Sequence, residues 1–113
     1  MMKQEKSHYI IKINTIERNV KIIELVEKTL ETEKLVEKVE GNFDVVSELK
    51  NVLDKHGLQA EDIEEYIPNV GPGTSFTGTK VGVTIANVVN WALDRKKLEE
   101  AYVPKYISEP NIG

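Results

Sequence analysis

The sequence predicts an α/β domain, a mixed sheet with helices packed on it. Three stretches carry that prediction. "HYIIKINTI" (His8 to Ile16) is short and rich in β-branched residues, which is the composition of a strand. From Asp44 the apolar residues recur at the helical spacing, and Val45, Val46, Leu49, Val52, Leu53 and His56 fall on one stripe before Gly57. "EDIEEYIPNVGP" gives a short strand around Tyr66 to Val70 that ends in glycines and leads into a second helix from about Thr77 to Arg95.

The elements follow in order. Residues Met1 to Ser7 are polar and are expected to be disordered ahead of the first strand. The segments "NVKIIELVEK" and "EKLVEKVEG" read two ways. Their Glu and Lys content favours helix, with Ile22, Ile23, Val26 and Leu30 on one face. Ile23 and Leu25 also alternate with polar neighbours, which fits two strands joined near Thr29 to Glu33. Local pattern leaves both open. Gly41-Asn42 breaks the chain ahead of the first helix.

The second helix has an unusual wheel. At roughly 100° per residue, Ile85, Ala86, Val88, Val89, Trp91, Ala92 and Leu93 cover an arc of about 220°, with Val81 inside it. A surface helix needs an apolar arc of only about 100° or a little more. This helix is expected to be covered on two sides, by its own sheet and by a partner.

Composition bounds what the chain can do. It has 113 residues, enough for one small domain, and no cysteine, which removes disulfides and thiolate chemistry. Acidic residues outnumber basic ones 19 to 15, for a net charge of −4. That balance argues against a broad electrostatic grip on nucleic acid, so contact with RNA is expected only through a partner. No apolar run reaches membrane length and the start does not read as a signal peptide, so a cytoplasmic protein is expected.

Candidate chemistry centres on the glycine-rich turn, Gly71-Pro72-Gly73 through Thr74-Ser75-Phe76-Thr77-Gly78. A strand ending in such a turn and opening a helix presents N–H groups to an anion. No G-K-[ST] follows and the dinucleotide spacing is absent, so the favoured reading is a tight strand-to-helix turn. A triad on Ser75 would need His8 or His56, and those stand at a strand edge and a helix end. Two histidines without helical i, i+4 spacing make a weak metal site, and none is expected. Glu61, Asp62, Glu64 and Glu65 crowd one segment, expected to be a solvated loop. Asn14, at the end of the first strand, cannot act as an acid or base. No catalytic residue is expected.

"GPGTSFTGTKVGVTIANVVNWAL" resembles the "GPGSFTG-x-R-x-G" signature of the TsaB (YeaZ) family, relatives of TsaD within the actin-like, ribonuclease H-like ATPase superfamily. Gly71, Pro72, Gly73, Ser75, Phe76, Thr77, Gly78 and Gly82 match; Thr74 is one residue more than the signature has, and Lys80 stands where Arg is usual. "IIKINTI" resembles the family's opening strand "IxAIDT", with Asn14 in place of the usual aspartate. "FDVVSELKNVLDKHGL" resembles the first helix, "EDIEEYIPNVGPG" the fourth strand, and "VPKYISEPNIG" the extreme C-terminus of full-length members.

The resemblance implies a single ribonuclease H-like subdomain at residues 8–100, with residues 101–113 as a C-terminal tail, in a miniature form lacking the family's second subdomain. It makes residues 19–40 a β-hairpin and gives an antiparallel meander, a fourth strand and two helices on one face. It implies a non-catalytic partner of a TsaD-like enzyme, together with a TsaE-like ATPase, in threonylcarbamoyladenosine modification of tRNA. Pairing would use both helices, with Val45, Leu49, Val52 and His56 on the first and Ile85, Val88, Val89, Trp91 and Ala92 on the second. A homodimer is expected when the chain is alone. No cofactor is expected, because the superfamily's nucleotide lies between two subdomains. The alternative is a homodimeric nucleotide- or phosphate-binding module using the Gly71 to Gly78 turn.

Overall fold

The computed structural model describes residues 8–93 and 100–105. Three strands come first: β1 (His8–Glu17), β2 (Val20–Lys28) and β3 (Glu33–Gly41), each antiparallel to the next. Residues 19–40 are therefore the hairpin, and the helical alternative is excluded. Asn19 turns the chain between β1 and β2 at a φ of 63°, a left-handed conformation that asparagine tolerates better than most residues. Thr29 and Thr32 close the next turn through a backbone bond of 2.9 Å and a hydroxyl pair at 2.7 Å. Ile11 pairs with Leu25 and Ile13 with Ile23, so four buried aliphatic side chains share one face of the sheet.

That face is covered by α1 (Val45–Lys55) and α2 (Phe76–Ala92). The Asp44 carboxylate caps α1 by accepting the Ser47 N–H at 3.0 Å. Val45, Leu49, Val52 and Leu53 are buried, the stripe expected of an amphipathic helix; such side chains contribute about 1.5–3 kcal/mol each when fully buried. Val46 does not join them. One residue on from Val45 turns it by about 100°, and it is 59% exposed. Gly57, at a φ of 67°, ends the helix in a Schellman motif: Gly57 N–H donates to the Asp54 carbonyl and Leu58 N–H to that of Leu53.

A short 3-10 turn (Ala60–Asp62) leads into β4 (Ile63–Pro68), which lies parallel to β1 and completes the order β3-β2-β1-β4. The strand runs earlier than the expected Tyr66 to Val70, because Ile63 as well as Tyr66 is fully buried in the core. The acidic residues consequently do not share one loop. Glu61 and Asp62 belong to the 3-10 turn, and Glu64 and Glu65 to β4. Over β1 and β4 lies α2, which starts one residue before expected and closes at Leu93. Its expected end at Arg95, the polar start of the chain and the tail beyond Lys105 fall outside the described residues.

Candidate functional site

The glycine turn is seated on an irregularity of β1. Regular pairing with β2 shifts between Asn14 and Glu17, which leaves Thr15 and Ile16 to face the turn. Asn14 Oδ1 accepts the Ile16 N–H at 3.2 Å, and the Ile16 carbonyl accepts the Ser75 N–H at 2.7 Å. Thr74, the additional residue of the signature, ties the turn to the β1–β2 connection. Its hydroxyl donates to Glu17 at 2.8 Å and accepts the Arg18 N–H at 3.0 Å. The Ser75 hydroxyl accepts the Gly78 N–H at 2.9 Å and so caps α2.

The glycines are there for close approach. A Cβ at Gly73 would strike Ile16, one at Gly78 the carbonyl oxygen of Thr15, and one at Gly82 the hydroxyl of Thr15. Thr15 is itself buried, and its hydroxyl donates to the Gly78 carbonyl at 2.5 Å. Backbone and side chains of β1 thus fill the space beside these glycines, and α2 rests directly on the strand. The sequence marks Asn14-Thr15 only as the end of the first strand, and a hydroxyl placed between isoleucines is the one signal of the role Thr15 has.

The outer surface of α2 is the second candidate. Val83, Ala86 and Asn90 face the sheet, and Ile85 and Val89 pack partly against the core. On the opposite side Val88 is 55% and Trp91 59% exposed, with Val81 and Ala92 also exposed. The wide apolar arc therefore divides into a covered half and an open half. On α1 the division is different from the one expected. Val45, Leu49 and Val52 lie in the core because the buried stripe of that helix faces its own sheet, and His56, the fourth residue expected to face a partner, is exposed at the helix end. Between the helices lies a recess of about 330 Å³ lined by Val46, Leu49, Leu53, Leu58 and Val89, with Lys50 on its rim.

The remaining candidates do not converge. His56 bonds Glu37 at 2.6 Å, His8 pairs with Glu64 at 2.9 Å, and neither serves Ser75. The His56 and Lys55 side chains beside Glu37 hold its carboxyl below the usual glutamate range. Asp62 accepts the Gln59 N–H, and Glu65 accepts the Tyr102 hydroxyl. Among the described residues no three His, Asp or Glu side chains are placed to hold a metal, and no helix is long and apolar enough to cross a membrane. On the sheet face away from the helices a recess of about 310 Å³ is lined by Lys12, Asn14, Glu24, Ile67 and Asn69.

An antiparallel meander, a parallel fourth strand and two helices on one face make this a mixed α/β domain, the architecture expected of a single ribonuclease H-like subdomain. No protein-family model and no curated protein matches the chain. Among solved structures, YeaZ from Pseudomonas aeruginosa is similar with a TM-score of 0.64 at 15% identity, over 78% of this chain and 41% of that one. A structure described as an uncharacterized protein with similarity to peptidase YEAZ from Pseudomonas aeruginosa gives a TM-score of 0.64 at 15% identity, covering 78% of this chain and 40% of its own. The chain thus spans about two-fifths of the length of these structures and has a YeaZ-like fold.

Proposed function

We propose that this chain is a TsaB-related scaffold subunit that docks on a TsaD-like enzyme through the outer face of α2 and supplies no catalytic group itself. The reaction served is threonylcarbamoyladenosine modification of tRNA, with a TsaE-like ATPase as the further member of the assembly. The observation that carries this reading is the open half of α2, where Val81, Val88 and Trp91 stand exposed on the side away from the sheet. Apolar side chains grouped in this way mark contact surfaces. The choice of a TsaD-like partner is supported by the YeaZ-like fold and by the resemblance of the glycine turn to the TsaB signature. Net negative charge supports leaving the tRNA contacts to that partner.

The glycine turn supports the same reading. Its helix N-terminus is capped by Ser75, and the spaces beside Gly73 and Gly78 are taken by β1. It serves as the seat of a docking helix. The test is to mix the full chain with the TsaD-like protein of the same organism and measure mass by light scattering during size exclusion. A 1:1 complex is expected, and two unshifted peaks would overturn the proposal. Calorimetric titration of the chain with ATP is expected to give no binding heat. Saturable binding abolished by Ser75→Ala would favour the homodimeric phosphate-binding module instead.

A further inference from the structure

Among the described residues the sheet ends at β4, and the outer edge of that strand is held by α2 and by residues 102–105. Two asparagines one helical turn apart organise it. The Asn90 side chain, 1% exposed, accepts the Tyr66 N–H at 2.9 Å and donates to the Tyr66 carbonyl at 2.8 Å. It gives β4 the pair of bonds that a neighbouring strand would otherwise supply. Asn87 does the same for Tyr102, accepting its N–H at 2.8 Å and donating to its carbonyl at 2.9 Å.

Residues 102–105 then run beside β4 in the same direction. The Tyr102 hydroxyl donates to the Glu65 carboxylate, and the Lys105 N–H donates to the Val70 carbonyl. The Lys105 carbonyl lies against Gly71, 2.5 Å from where a Cβ would stand, and Gly71 has a φ of 87°. Pro68, between these contacts, has no N–H to offer. The strap therefore touches the domain at the middle of β4, at α2, and at the first residues of the glycine turn.

We infer that residues 102–105 are a latch on the glycine turn: closed along the β4 edge they clamp Val70 and Gly71, and their release loosens the turn while the sheet stays intact. The seat of α2 thereby depends on chain that follows α2 in sequence. This inference does not rest on the identity of any partner.

The experiment is amide hydrogen exchange on the full chain, followed by NMR, comparing the native sequence with Asn87→Ala. The amides of Tyr102 and Lys105 are expected to exchange at least tenfold faster, and those of Gly71 and Ser75 with them, while Ile13 and Leu25 keep their protection. Unchanged Tyr102 exchange, or a released strap with Gly71 and Ser75 exchanging as before, overturns the inference. Should Asn87→Ala also expose Ile13 and Leu25, the milder Tyr102→Phe, which removes the hydroxyl that bonds Glu65, decides the matter. Faster exchange at Lys105 and Gly71 over a protected sheet is then the expected result, and an unchanged Gly71 amide overturns the inference.

Discussion

Replacing Asn90 by alanine should be among the most damaging single changes in this domain. The side chain is 1% exposed and makes two hydrogen bonds, at 2.9 and 2.8 Å, to the backbone of Tyr66, a residue with no exposed surface. Truncation removes a hydrogen bond from a buried N–H and another from a buried carbonyl at once. A lost hydrogen bond costs about 0.5–1.5 kcal/mol and a buried group left unsatisfied about 1–3 kcal/mol, so the loss is about 1–6 kcal/mol. A domain of this kind has about 5–15 kcal/mol in all. Urea unfolding followed by far-UV circular dichroism measures it, with a lower midpoint and an unchanged slope expected. Asn90→Asp keeps an acceptor for the Tyr66 N–H but sets a carboxylate against the Tyr66 carbonyl, and it should recover little. A change below about 0.5 kcal/mol in Asn90→Ala would refute the reasoning, because other groups would then be satisfying the β4 edge.

Three further outcomes follow from the same geometry. Gly82→Ala should destabilise by roughly 1–3 kcal/mol through overpacking against the buried Thr15 hydroxyl, although alanine in an exposed helix interior gains about 1 kcal/mol over glycine; a rise in the thermal midpoint would contradict the close seating of α2 on β1. The Glu37 carboxyl is held below its ordinary range by its bonds to His56 and Lys55. Its contribution is thus fully present above the ordinary glutamate pKa of about 4.3 and is lost as pH falls through the lower folded value. Urea midpoints measured from pH 6 to pH 3 should fall less steeply for Glu37→Gln than for the native chain, and identical slopes would remove the assignment. Ser75→Ala should cost about 0.5–2 kcal/mol as a lost helix cap, and a neutral change in the urea midpoint would show that the cap is not what Ser75 supplies.

The strand β1, the helix α1 and its Gly57 stop are legible in the sequence because each carries a single dominant pattern. The strands β2 and β3 are not legible by pattern. Their Glu and Lys residues alternate with aliphatic ones on a meander whose outer strand is largely exposed, and exposed strand positions carry little periodic signal. The resemblance to YeaZ proteins resolved those residues, as the observed hairpin bears out. The start of β4 is hidden in the sequence because Ile63 is flanked by acids yet fully buried. On α1 the expected stripe is wider than the buried one by Val46 and His56, and its buried residues serve the sheet and not a partner, because a helix with one apolar stripe needs it for its own sheet. Asn87 and Asn90 carry no meaning of their own in the sequence, two asparagines within the apolar stretch of α2. Their i, i+3 spacing on a helix beside an edge strand was the available signal, and it gains meaning only once the topology puts β4 at the rim.

The docking proposal is tested most directly by Val88→Glu. Val88 is 55% exposed and points away from the sheet, so the variant should fold with a thermal midpoint within about 2 °C of the native chain. A carboxylate set into a packed interface should cost about 2 kcal/mol or more, roughly thirtyfold in Kd. Calorimetric titration of the TsaD-like protein with the native chain and with Val88→Glu gives that ratio. Binding by the native chain, weakened at least thirtyfold in a folded Val88→Glu, is the predicted result. A folded Val88→Glu protein that binds the TsaD-like partner with native affinity would contradict docking through the outer face of α2.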